Sequence, residues 1–205
     1  MLEVKNLSFS YERPILENIN LQLNSGEILG LMAPSGYGKS TLGKIISGYL
    51  KQDKGQVLID GKKIEDFKSF RPVQMVHQNP EKSVNIRWKV DKILNEGWKV
   101  SEDVKEKLGI ENFWLEKWPT ELSGGELQRI CIARILSPQT KYLIADEITT
   151  MVDAITQVQL LEVLRHFAKK HGMGILFISH NKDLINIFTE RQIDLRQINK
   201  INIKN

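Results

Sequence analysis

The stretch Ala33-Pro34-Ser35-Gly36-Tyr37-Gly38-Lys39-Ser40-Thr41 constrains this chain more than any other. It follows an apolar run, Ile28-Leu29-Gly30-Leu31-Met32, that reads as a strand, and it precedes Leu42 to Leu50, which reads as a helix. A strand that enters a Gly-rich turn and leaves it as a helix aims several backbone N–H groups at one point. The positive end of the helix dipole reinforces them, and the result is an anion site. A lysine placed as Lys39 is reaches the β- and γ-phosphates of a nucleoside triphosphate, and a hydroxyl at Ser40 ligates Mg²⁺. The pattern G-x-x-x-x-G-K-[S/T] is met except that Ala33 takes the place of its first glycine. Alanine is tolerated there if residue 33 has φ below zero and is costly otherwise. Taken alone, the stretch is also compatible with an ordinary Gly-rich turn ahead of a helix.

The rest of the composition sets bounds. A chain of 205 residues fits one domain, spanning 1–205, with room for a smaller subdomain and a substantial core. No apolar run reaches the roughly 18 residues that a membrane-spanning helix needs. Met1-Leu2-Glu3-Val4-Lys5 has neither the basic lead nor the apolar core of a signal peptide. The single cysteine, Cys131, excludes an intrachain disulfide and any cysteine-cluster metal site, and a cytoplasmic setting is expected. The net charge of +4 is modest and the charges are interspersed, without the clustered basic stripe of a nucleic-acid binder. The segment from Arg196 to Lys204 reads as a solvated end.

Along the chain, Leu2 to Phe9 and the alternating Ile19, Leu21 and Leu23 read as strands. Val57-Leu58-Ile59 followed by Asp60-Gly61 reads as a strand entering a tight hairpin, and Val73 to His77 as a further short strand. From about residue 79 to 121 the rhythm changes to charged, patchily helical sequence that contains all four tryptophans. This reads as a helical subdomain inserted in an α/β core, with Trp114 and Trp118 packed inside it and Trp88 and Trp98 available for a docking surface. After it, Leu127, Ile130, Cys131 and Ile135 share a helical face. Lys141 to Asp146 is a strand with an acidic end. Ile155, Val158, Leu161, Leu164 and Ala168 mark an amphipathic helix, and Ile175-Leu176-Phe177-Ile178 is a buried strand.

Two further segments carry chemistry. Asp146, at the end of an apolar strand, is placed to hold Mg²⁺, largely through water. Glu147 beside it can orient or deprotonate a water, although an acidic pair at a helix start also has a purely electrostatic explanation. Leu122-Ser123-Gly124-Gly125-Glu126-Leu127-Gln128-Arg129 is a second phosphate-binding helix start: the serine caps and can donate to a γ-phosphate, and the glycines let a ligand approach the backbone. Ser123 and Glu126 alone make a capping box, but capping does not need the two glycines, which are slightly costly in a helix.

These segments, in this order, make the chain resemble the ATP-binding cassette (ABC) ATPases over nearly its whole length. The resemblance implies a P-loop NTPase α/β core with an antiparallel β subdomain and an inserted helical subdomain, ATP and Mg²⁺ as cofactors, and ATP hydrolysis. It implies further roles. Tyr11 resembles the aromatic that stacks on adenine. Gln78 resembles the glutamine that contacts Mg²⁺ and the attacking water, Asp153 the aspartate that links two nucleotide sites, and His180 the histidine that contacts the γ-phosphate. Lys39 would neutralise the transferring phosphoryl group and Glu147 would act on the water. In this family the loop of one cassette faces the Ser-Gly-Gly segment of another, so a second ABC ATPase subunit is an expected partner.

The departures from the family pattern are Ala33, Ile148 in place of a proline, Thr149 to Asp153 in place of Thr-Ser-Ala-Leu-Asp, and Glu126 in place of glutamine. Gln78-Asn79-Pro80-Glu81-Lys82-Ser83-Val84-Asn85-Ile86-Arg87 resembles the pattern of ATPases in bacterial dipeptide, oligopeptide and nickel importers. That implies integral membrane permease subunits as partners, a solute-binding protein acting indirectly, and a place at the cytoplasmic face of the membrane. Residues 79 onward would receive a short permease helix, with Trp88 and Trp98 in its socket. The length of the chain, with no extension after the cassette, favours nickel or a metal chelate slightly over peptides. The alternative is a non-transport ABC ATPase acting on DNA or the ribosome, which DNA- or ribosome-stimulated activity would distinguish.

Overall fold

A computed structural model describes residues 1–201. Two sheets organise it. The first is antiparallel: β1 (Leu2–Ser10), β2 (Pro14–Leu23), β4 (Lys54–Ile59) and β5 (Lys62–Lys63) run in the order β2-β1-β4-β5. Leu2 stands opposite Leu23 and Val4 opposite Leu21, so the apolar alternation puts one face inside. The β4–β5 hairpin turns on Asp60 and Gly61 with φ of 51° and 79°, the left-handed pair a two-residue turn requires.

The second sheet is parallel. Its order is β6 (Val73–Val76), β7 (Tyr142–Asp146), β8 (Gly174–Ile178), β3 (Ile28–Met32) and β9 (Arg191–Asp194). β7 and β8 are buried throughout, as expected of parallel strands covered on both faces. Leu29, Leu31, Ile144 and Ile178 join one core cluster with the antiparallel sheet and α1 (Lys39–Ile46). Ile28, Leu143, Ala145 and Phe177 join another with α4 (Gly124–Ile135), α5 (Ala154–His171) and α6 (Lys182–Phe188). α1 lies close against the sheet because Gly43 has no side chain: a Cβ there would stand 3.0 Å from Ile144 Cγ2. The helix after the loop is shorter than its apolar run implied, ending at Ile46.

The region 79–121 does fold apart from the sheets, but as short pieces. It has α2 (Val90–Leu94) and α3 (Glu102–Lys107), with one 3-10 turn before them and two after. Val90, Ile93, Leu94, Val104 and Trp114 bury themselves with Ile130 and Cys131 of α4. Arg134 of α4 ties the region down through Ser83 O and Glu96, each at 3.0 Å.

Three expectations are corrected. Trp114 is buried as expected, but Trp118 is 41% exposed, with the Lys89 ammonium 4.2 Å above its ring. The apolar stripe of α5 is buried only from Leu160 onward, and Ile155 and Val158 stand 74% and 61% exposed. Their spacing matches that of Leu161 and Leu164, but the helix runs past the edge of the core. The segment from Arg196, expected to be a solvated end, is docked over its described residues. β9 pairs with β3, and α7 (Leu195–Ile198) buries Leu195. Asn199 then accepts the Glu17 N–H at 2.9 Å and donates to Ile15 O at 3.0 Å. The expectation for residues 202–204 lies outside the described residues.

Candidate functional site

The carboxyl ends of four neighbouring parallel strands converge on one cleft, the general ligand position of an open α/β sheet. β3 delivers the loop 33–41, β6 delivers Gln78, β7 delivers Asp146 and Glu147, and β8 delivers His180. The cleft measures about 410 Å³, a size suited to a small molecule. Ser35, Gly36, Gly38, Lys39, Ser40 and Thr41 form its floor, and Tyr11, 57% exposed and edge-on to Phe9, stands at its mouth with Ile15.

The loop conformation depends on two glycines with left-handed backbone, Gly36 at 82° and Gly38 at 92°. Gly38 is also the N-cap of α1, and a Cβ there would stand 2.8 Å from Ile15 Cγ2. Ala33 is not among the positive-φ residues, so alanine fits where a glycine is usual. Ala33 and Pro34 do not line the cleft. Their carbonyl oxygens accept the buried Lys39 ammonium at 2.7 and 3.1 Å. Tyr37 turns away and packs on the core. The lysine is thus held at the loop, and the N–H groups at the start of α1 are free of side-chain caps, as an anion site requires.

Asp146 is 5% exposed, and its Oδ1 has no hydrogen-bond partner. Burial pushes its carboxyl above the ordinary aspartate value, the Ser40 hydroxyl pulls it down, and the charge of Glu147 adds to the rise. A buried, unpaired carboxylate oxygen beside a hydroxyl is a hard-oxygen donor set that suits Mg²⁺. Among the described residues no group of three or more His, Cys, Asp or Glu forms a metal cage. An ion held here keeps most of its shell for water and phosphate oxygens, which is how Mg²⁺ is usually bound.

Glu147 has a left-handed backbone, φ 52°, fixed by its N–H donating to Ile178 O at 3.0 Å. For a non-glycine residue this is uncommon and typical of functional positions. The turn aims the side chain across β8, where His180 Nδ1 stands 2.9 Å from both carboxylate oxygens. Neither the strained backbone nor the role of Ile15 as a wall was foreseen. The residue type at 147 carries no signal of its φ, whereas Ile15, beside Tyr11 at the start of β2, had a positional one.

The other expected residues sit elsewhere. Ser123 to Glu126 and Asp153 do not line the cleft. Ser123 caps α4, its hydroxyl accepting the Glu126 N–H at 3.2 Å while Glu126 accepts the Ser123 N–H at 2.6 Å. Asp153 caps α5 through the N–H groups of Ile155 and Thr156, both at 3.0 Å. The two helix starts adjoin each other: a Cβ on Gly125 would stand 3.1 Å from Met151 O, and Gly124 faces the Met151 side chain. Ile148, one of the departures, is buried, as is Thr149 beside it.

A second groove, about 450 Å³, lies between the core and the region 79–121 and is lined by Tyr49, Phe70, Arg71, Asn85, Glu96 and Arg134 among others. Neither Trp88 nor Trp98 lines it. Trp98 is turned inward, its indole N–H donating to Arg134 O at 2.9 Å, and Trp88 lies under the Lys92 ammonium. Among the described residues no helix is long and apolar enough to cross a membrane.

Comparison with known proteins finds relatives over nearly the whole chain. The family model described as ABC transporter matches residues 16–150. The oligopeptide transport ATP-binding protein AmiF of Streptococcus pneumoniae is 34% identical, covering 93% of this chain and 70% of that protein. The nickel import ATP-binding protein NikE of Rhodospirillum rubrum is 32% identical over 89% of this chain and 73% of its own length. Among solved structures, the ATP-binding subunit of an ABC transporter superposes with a TM-score of 0.78 at 25% identity, covering 95% of this chain and 85% of the other. A dimeric bacterial ABC transporter cassette reaches 0.81 at 25% identity, covering 95% and 94%.

Proposed function

Because the chain belongs to the ABC transporter family, we propose that it is a single cassette domain that binds and hydrolyses ATP to drive a bacterial importer of peptides or metal chelates. The observation that carries this reading is a division of labour. Ser35, Gly36 and Gly38 to Thr41 of the loop share one cleft with Gln78, Asp146, Glu147 and His180, while Ser123 to Glu126 and Asp153 lie together outside it. The chain offers two phosphate-binding helix starts, and a nucleotide has one γ-phosphate. The second start therefore serves a nucleotide held by a facing subunit, either a second copy or a related cassette.

Within the cleft, Tyr11 and Ile15 hold the base at the mouth and the loop amides with Lys39 take the phosphates. Ser40, Asp146 and Gln78 would hold Mg²⁺, which would supply charge neutralisation at the phosphoryl oxygens. Glu147 takes the proton of the attacking water as it approaches the γ-phosphorus. His180 fixes the direction of the Glu147 carboxylate and reaches toward the same phosphate. Ser123 of the facing subunit completes the chamber, exchanging its cap for a phosphate oxygen. ATP holds the two subunits together, and hydrolysis favours their separation.

The groove lined by Tyr49 and Phe70 is the proposed seat for a permease segment, and with such a partner the subunit would work at the cytoplasmic face of the membrane. The cargo, delivered by a solute-binding protein, does not touch this chain. Relatives named for oligopeptides and for nickel stand at nearly equal identity, which supports both cargo classes.

Complementation tests the division of labour. Lys39→Ala and Gly125→Asp are each expected to abolish hydrolysis. Mixing them creates a pair with one intact chamber, an intact loop facing an intact Ser-Gly-Gly segment, and activity should return. No recovery on mixing would rule out a second copy as the facing subunit, and wild-type turnover that is independent of protein concentration down to a strict monomer would overturn the reading.

A further inference from the structure

A third cavity, about 220 Å³, lies between α3 and the C-terminal half of α5, and none of its lining residues belongs to the nucleotide cleft or the Tyr49 groove. Its walls are apolar: Trp98, Val104, Val163 and Phe167. The indole N–H of Trp98 is already committed to Arg134 O, so the tryptophan presents only ring surface. Val104 and Phe167 are nearly buried, while Trp98 and Val163 remain half-open. Close-packed proteins do not leave such a slot unfilled without cost.

The rim is richer in basic than in acidic side chains. His166, Lys170 and His171 stand on α5, and Lys107 stands on α3. The one carboxylate among the lining residues is Asp103, and Lys107 binds it at 2.9 Å. Lys170 and His166 act on Asp103 only through space, without the direct hydrogen bond that Lys107 makes to it. The three α5 groups lie near enough to act on one another: burial first, then Lys170 and His166, hold the His171 imidazole below the ordinary histidine value. The His171 ring is tilted over Phe167 with 4.2 Å between centroids, which places a polarisable edge where the apolar wall meets the charged rim.

We propose that this cavity binds a small amphipathic anion, a carboxylate with an aromatic or branched apolar body. The body fills the slot between Trp98, Val163 and Phe167, and the carboxylate lies among Lys170, His166 and His171. A neutral ligand of the same shape leaves the Lys170 ammonium unanswered, and a small hydrophilic anion leaves the slot empty. The bound molecule touches both the region 79–121 and the α/β core, so it braces the joint between them.

Equilibrium dialysis of the full chain with phenylacetate, phenylacetamide and acetate tests the proposal. Saturable binding of one phenylacetate per chain is expected, with phenylacetamide weaker by about fivefold, the scale of one or two partly exposed charge contacts, and acetate not retained. Val163→Phe should abolish phenylacetate binding by filling the slot. Lys170→Glu, a surface change that leaves the walls intact, should weaken phenylacetate by about fivefold or more and leave phenylacetamide unchanged. Equal retention of the acid and its amide, no saturable retention of either, or phenylacetate binding indifferent to Lys170→Glu would each overturn it. ATP binding, measured in parallel, is independent of the outcome.

Discussion

His180 Nδ1 faces both carboxylate oxygens of Glu147 at an equal 2.9 Å. Glu147 is largely buried and His180 is 70% exposed at the side chain, so the histidine closes the cleft side of a carboxylate whose backbone is already held in a left-handed turn. The pair acts as a unit. Glu147→Gln is expected to lower kcat by about 10²–10⁴, the range for a lost general base, while nucleotide affinity stays within about threefold. His180→Ala should also lower kcat, and the double variant should be no slower than Glu147→Gln alone. Phosphate-release assays with parallel nucleotide titrations check all three. Additive losses would show two independent groups.

Asp146 carries a cost in the absence of its ion. Its carboxyl is raised above the ordinary aspartate value, chiefly by burial, so the folded chain keeps that proton to higher pH than the unfolded chain does. Stability from this group is therefore highest in acid and falls as pH rises from the ordinary value through the raised one. Asp146→Asn removes the ionised form. Without Mg²⁺ and nucleotide, the variant should be more stable at neutral pH, by on the order of 1–3 kcal/mol for relief of a buried unpaired group. It should also lose Mg²⁺-dependent ATP hydrolysis. Thermal unfolding at neutral pH and at about pH 4, near the ordinary carboxylate value, checks the sign, because the difference between wild type and variant should shrink in acid.

The two ends of the phosphate loop should respond oppositely to the same small change. Ala33→Gly is expected to leave nucleotide affinity unaltered and to cost about 0.4–1 kcal/mol through the added freedom of the unfolded chain. Gly38→Ala should cost about 1–3 kcal/mol for the left-handed backbone, with a further penalty from the contact with Ile15, and should weaken nucleotide binding. Denaturant unfolding and nucleotide titration of both variants check this pair.

The two neighbouring tryptophans of the inserted region also separate. Trp114→Ala empties a buried site and should cost about 3–5 kcal/mol. Trp118→Ala removes an exposed ring and one cation–π contact and should cost about 1 kcal/mol or less. Midpoints in denaturant check the ranking.

Much of the site could be read from residue order because strand ends impose it. An apolar run ending in Asp146-Glu147, another ending in Ser179-His180, and a third running into the Gly-rich loop must meet if the strands are parallel and adjacent. What could not be read was decided by tertiary placement. Ile155 and Val158 repeat the spacing of Leu161 and Leu164, and periodicity cannot say where along a helix its neighbour stops. Trp114 and Trp118 differ in burial because the chain turns between them, not because of their type. β9 was missed because Arg191-Gln192-Ile193-Asp194 is half-exposed and lacks the apolar run of its neighbours, an edge strand whose pairing with β3 is fixed by the completed sheet.

The clasp of Asn199 on Ile15 has a consequence for synthesis. The two residues are 184 positions apart, yet Ile15 is the wall against which Gly38 rests. At translation rates of roughly 5–20 residues per second, Asn199 follows Ile15 by roughly 10–40 s. Through that interval Ile15 lacks the side chain that clasps its carbonyl, so the wall behind Gly38 gains this support only once residue 199 has been made.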